Sequence, residues 1–175
     1  FKMFLQAFLA ALLFQSAGFI KALAADEPAE TKITLRSDLT SEMKKLVLAR
    51  FNVYRKGAGL KELVYDDELE KMATLHTNYF TNNCEHGVIS DGHFESPELA
   101  GYTKLGDEAA RSSGLAFDAR DLMEGLEVLF AAPFHRVQFM AADLERVGFG
   151  FTKSTITNSA ANAKRCGIAI FVTRP

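Results

Sequence analysis

The sequence has no tryptophan and only two cysteines, Cys84 and Cys166. It has no long run of lysine or arginine, and its formal net charge is −2. It has no low-complexity tract, and no serine sits in a Gly-x-Ser-x-Gly turn. Each absence narrows the reading. Without a basic run there is no electrostatic footprint for nucleic acid or for an anionic membrane surface. Without the nucleophile-elbow motif no serine is set up for acyl transfer. Two cysteines allow at most one disulfide, the alternative being two separate thiols with one buried. Without tryptophan, aromatic area comes mostly from 15 phenylalanines, which read first as core.

What is present fits one ordinary domain. The chain has 175 residues, 48% hydrophobic and 24% charged, enough to bury a real core. Residues 1–24 have the three parts of a secretory signal. Lys2 gives a positive start, Phe4 to Phe14 is apolar but for Gln6, and Ala22-Leu23-Ala24 offers small residues before Ala25. Gln15, Ser16 and Lys21 keep the stretch short of the roughly 18 clean apolar residues of a membrane span. Cleavage is therefore preferred over an uncleaved anchor, leaving no stable membrane span and a secreted, periplasmic or extracellular product. The chain opens on Phe1 with Met3 as a candidate start, so the sequence is read as open at its beginning. Export makes Cys84 and Cys166 a disulfide candidate. It would close a loop of roughly 80 residues, for about 4 kcal/mol in the chain-entropy model.

Residues 25–38 read as a flexible leader and residues 39–175 as the domain. Asp38, Thr40 or Ser41 can cap a first helix running to about Lys56, with Met43, Leu46, Val47, Arg50 and Tyr54 on its apolar face and Phe51 and Val53 broadening it. Gly57 and Gly59 end it. Asp66-Asp67-Glu68 suits the start of a second helix reaching about Asn82. Its stripe holds His76, read as a core histidine with a hydrogen-bond partner. Residues 82–106 lack periodicity, and a loop of that length is usually functional or disordered. A third helix covers about Asp118 to Phe130 and stops at Pro133. Strands follow at Val147–Thr152 and Cys166–Thr173, joined by a polar connection from Thr152 to Lys164. Helices first and an antiparallel pair last suggest an α+β layered domain. Two strands are marginal as a sheet, so another is expected before the third helix or beyond Pro175, which leaves open a chain cut short at its C-terminus.

Two stretches carry the chemistry: Gly92-His93-Phe94-Glu95, and Phe130 to Arg136 with its adjacent His135 and Arg136. The expectation is that the fold brings His93 and His135 to one cleft.

These pieces, in this order, resemble the CAP superfamily (SCP or PR-1-like domain) in its bacterial form, over about Ser41 to Gly150. The resemblance rests on Ala49 to Arg55, on Leu63 to Leu69 with Ala73 and His76, on Gly92 to Glu95 with Gly101-Tyr102-Thr103 and Ala110 to Ser113, and on Ala132 to Arg136 with Val147 to Gly150. It implies an α-β-α sandwich with a central antiparallel sheet and a cleft on one face. It also implies cleft histidines, matched here by His135 and His93, with His86 as the rival for the second. The family's glutamates do not carry over. Ser112-Ser113-Gly114 stands where Gly-Glu-Asn is common, and Glu127 lies one or two turns from the other position.

Three activities remain. Two neutral imidazoles, His93 and His135, can bind Zn²⁺ with water in the open positions, and Glu95 can orient one of them. Metal-assisted, protease-like hydrolysis is the alternative, with a histidine and carboxylate acting on water. Binding is preferred, the ligand being a lipid, a cell-wall component or a protein, with Phe94, Tyr102, Phe117, Phe130, Phe134 and Phe139 near the cleft. Arg136 is read as half of a structural Arg–carboxylate pair.

Overall fold

The computed structural model describes residues 35–88, 92–153 and 166–175. Residues 1–24, read above as a signal, the part of the expected 25–38 leader up to residue 34 and the connection at 154–165 lie outside the described residues. Among the described residues the elements follow in order: α1 (Ser41–Gly57), β1 (Val64–Tyr65), α2 (Asp67–Glu85), α3 (Lys104–Arg111), β2 (Ser113–Phe117), α4 (Leu122–Ala131), α5 (Pro133–Phe139), β3 (Arg146–Thr152) and β4 (Ile168–Arg174). Among the described residues no helix is long and apolar enough to cross a membrane.

Short polar side chains start most of the helices. Thr40, Asp66, Thr103 and Asp121 each accept a backbone N–H in the first turn that follows. Each thereby satisfies a donor the helix leaves unpaired. Pro133 does two things: it ends α4 and occupies the first turn of α5, where its missing N–H costs nothing. The 130–136 stretch is thus helix, break and helix, not helix followed by loop.

The four strands are ordered β1-β3-β4-β2. β3–β4 and β4–β2 are antiparallel, while β1 runs parallel to β3, so the sheet is mixed rather than wholly antiparallel. The extra strands are β1 and β2, and β2 begins at Ser113, inside the Ser112-Ser113-Gly114 stretch.

The alternation of strand residues separates two apolar layers. Leu115, Ile168, Ile170 and Val172 pack with α2 and α3 on one face. Ala116, Val147, Phe149, Phe151, Ala169 and Phe171 pack with Val47 and Phe51 of α1 and with α4 and α5 on the other. The result is the α-β-α sandwich. On the α2 face β3 presents Gly148 and Gly150, and α2 lies directly on them. A Cβ at Gly148 would fall 2.3 Å from the Glu70 nitrogen, and one at Gly150 2.7 Å from the Ala73 oxygen.

Cys84 at the end of α2 and Cys166 ahead of β4 are joined in a disulfide across 82 residues. Both are buried within the α2 layer.

Candidate functional site

The site begins with a buried imidazole. His76, mid-way along α2, is fully buried. Its Nε2 lies 2.7 Å from the Gly92 carbonyl and its Nδ1 3.0 Å from Glu95 Oε1. A carbonyl only accepts, so Nε2 carries a hydrogen. The second proton of the pair lies between Nδ1 and Oε1, and dry surroundings strengthen the bond it makes. The other Glu95 oxygen accepts the Thr103 N–H at 2.8 Å, and the Glu95 N–H donates to Asp107 Oδ1 at 2.8 Å. Gly106 makes room for this carboxylate, since a Cβ there would come within 2.2 Å of Glu95 Oε1.

Glu95 is therefore turned inward and engaged at both oxygens, and it orients His76 rather than His93 or His135. The sequence reading of His76 as a satisfied core histidine describes what is seen. Around the pair, the Tyr79 ring stacks at 6.1 Å on the His76 ring, and its hydroxyl accepts the Ser96 N–H. Burial pushes the Tyr79 phenol up, while that N–H works in the opposite direction. Arg111 beside Asp107 holds that carboxyl below the usual range against the effect of burial.

His93 and Phe94 follow Gly92 at the surface. The Gly92 Cα lies against the rings of Phe117 and Phe80, and Arg111 stands 6.0 Å from the centre of the Phe94 ring. His93 therefore approaches from the α2–α3 side. His135 sits on α5, one turn before Phe139, whose ring covers Gly114 of β2 and packs with Phe51, Phe130 and Phe171 on the other side of the sheet. His135 Nδ1 is buried without a hydrogen-bond partner among the described residues. So is the hydroxyl of Ser113 at the start of β2. Arg136 is exposed and pairs with no described carboxylate. His86, the rival histidine, is exposed and donates from Nδ1 to the Asn82 carbonyl at the end of α2.

The buried arginine is another residue, Arg55. Its guanidinium donates to the carbonyls of Lys61, Phe139, Ala141 and Leu144. Burial lowers its pKa, with Asp143 acting in the opposite direction. Asn52, one turn earlier, exchanges two hydrogen bonds with the Leu63 backbone. Together they seat the chain entering β1 and the 139–144 turn that ends α5. Glu127 bridges helices instead of serving the cleft. Arg50 accounts for most of the lowering of its carboxyl, and Tyr54 adds to it.

No group of three or more His, Cys, Asp or Glu side chains among the described residues can hold a metal ion. With Glu95 engaged, His93 and His135 alone are an incomplete donor set for zinc, which takes three protein ligands at catalytic sites and four at structural ones.

A family model described as CAP, the cysteine-rich secretory protein family, matches residues 48–166. No curated protein matches the chain. Among solved structures, an outer surface protein of Borrelia burgdorferi is 21% identical at a TM-score of 0.50, over 79% of this chain and 97% of that one. The crystal structure of MpPR-1i is 12% identical at a TM-score of 0.53, over 79% of this chain and 91% of that one. At these identities the likeness is one of fold.

Proposed function

Because the chain belongs to the CAP family, the cysteine-rich secretory protein family, we propose that it is an exported binding protein whose ligand docks along β2, the edge strand of the sheet, between His93 on the α2–α3 side and His135 on α5. The ligand classes are a lipid, a cell-wall component or a protein. One observation carries the reading: each of these histidines has a neighbouring aromatic left in solvent. Phe94 is 43% exposed beside His93, and Phe134 is 90% exposed beside His135. Phe134, so open, gains little from the core, and the exposed parts of both rings offer area to a partner. The buried disulfide supports an oxidising compartment and hence export.

Hydrolysis assisted by a metal is the second reading, and the unpartnered His135 Nδ1 favours it. Glu95, the carboxylate expected to serve it, is already held by His76 and Thr103.

Calorimetry on the full, disulfide-bonded chain separates the two. Phospholipid vesicles, peptidoglycan fragments and Zn²⁺ are titrated in turn into the wild type and into Phe94→Ser, Phe134→Ser, His93→Ala and His135→Ala. Binding of vesicles or peptidoglycan that the aromatic variants weaken supports the binding reading. Saturable Zn²⁺ binding lost in both histidine variants moves the balance to the metal reading. Binding of no probe, or binding equal in every variant, overturns both.

A further inference from the structure

The segment from Gly92 to Thr103, which carries His93, is attached in an unusual way. Among the described residues it makes no backbone–backbone hydrogen bond to any strand or to α2. Its backbone pairs are its own turns, Leu99 N–H to the Ser96 carbonyl and Tyr102 N–H to the Leu99 carbonyl, and the Asp107 N–H on the Thr103 carbonyl that starts α3. Side chains hold it down instead. His76, Tyr79 and Asn83 recur at three and four along α2, so they form one stripe of that helix. His76 binds the Gly92 carbonyl and Glu95, Tyr79 takes the Ser96 N–H, and Asn83 Nδ2 donates to the Ala100 carbonyl at 2.9 Å. From α3, Asp107 adds the Glu95 N–H. Beneath the segment lie Phe80, which is buried, and Phe117, which is 45% exposed.

A strap fixed by side chains opens without breaking a sheet or a helix. Sub-global opening is expected where backbone pairing to the core is sparse. We propose that residues 92–103 form a strap that opens as one unit from the polar stripe of α2, with the His76–Glu95 pair as its latch, uncovering the Phe80–Phe117 surface to an apolar ligand group. The latch has the largest share because Glu95 joins three partners at once: His76, the Thr103 N–H and, through its own N–H, Asp107. Breaking it unseats both ends of the strap. What opening does for ligand capture rests on the proposed role of His93. The opening itself is measured without ligand, so either can fail alone.

Native-state hydrogen exchange on the full oxidised chain tests this. The Glu95, Ser96 and Thr103 amides exchange through one shared opening, with the same denaturant dependence and faster than the β3 and β4 amides. Glu95→Ala and His76→Ala speed all three together by about tenfold or more, the scale of losing a charge-assisted hydrogen bond, and leave the β3 and β4 amides still slower than all three. Glu95→Gln restores protection, because its amide donates to Nδ1 of a neutral His76 while its oxygen still accepts from Thr103. Three different opening energies, exchange only with the global core, or a Glu95→Gln variant as fast as Glu95→Ala overturns the proposal. Where the latch variants do not fold, the wild-type denaturant series with Asn83→Ala still decides it: removing the far anchor must speed all three amides, not only those nearest Ala100.

Discussion

Arg55 shows how one side chain can organise two turns at once. Its guanidinium spans carbonyls from Lys61 to Leu144, so Arg55→Met leaves several buried carbonyls without a donor. The expected cost is about 3 kcal/mol or more, read as a lower urea midpoint at unchanged slope. Asp66 gives a test in pH. The N–H of Leu69 holds its carboxyl below the usual range, burial opposes it, and the side chain of Arg146 and the Glu68 N–H add to the lowering. Its folded pKa is therefore below the unfolded one, so its stabilisation is complete above about pH 4 and is lost as pH falls through the folded value. Acid unfolding followed by circular dichroism should begin below that point in the wild type and show a shallower decline in Asp66→Asn. At this scale the sequence was half legible. Asp66 as a helix start and His76 as a core histidine followed from residue type and spacing. The inward turn of Glu95 and the burial of Arg55 instead of Arg136 did not, because both depend on partners more than a dozen residues away.

Among elements, the α2–β3 contact is the tightest. Gly148 and Gly150 read in the sequence as the opening of a strand, but their purpose appears only when α2 is laid across them. Gly148→Ala places a methyl against the Glu70 backbone, which no rotamer change relieves. The helix has to lift, at an expected cost of about 2 kcal/mol, visible as a lower melting temperature. Periodicity located α1, α2 and α4 but misjudged the inner face of α1. Leu46 and Val53 are 54% and 58% exposed, while Asn52 and Arg55 are buried. A polarity pattern cannot anticipate a buried amide and guanidinium whose acceptors are backbone carbonyls. β1 is two residues long and β2 only five, too short to signal by alternation, so the two edge strands, of which β1 makes the sheet mixed, were the ones left unread.

For the whole molecule, the disulfide joins the end of the helix under the strap to the start of the last strand. The double variant Cys84→Ser with Cys166→Ser should lose about 4 kcal/mol in the chain-entropy account, and thermal melts with and without reductant should show the same difference in the wild type alone. The pairing was open in the sequence, where the separation of the two Cα atoms cannot be read. They lie 5.6 Å apart, well inside the reach of the bond. That bond also makes the chain between Cys84 and Cys166 a ring with two tails. A single cut by a protease anywhere in the ring, the strap included, releases no fragment. Such a nicked molecule runs as one species on a non-reducing gel and as two after thiol treatment. Under the proposed exported role, damage to the proposed ligand surface then leaves one covalent molecule.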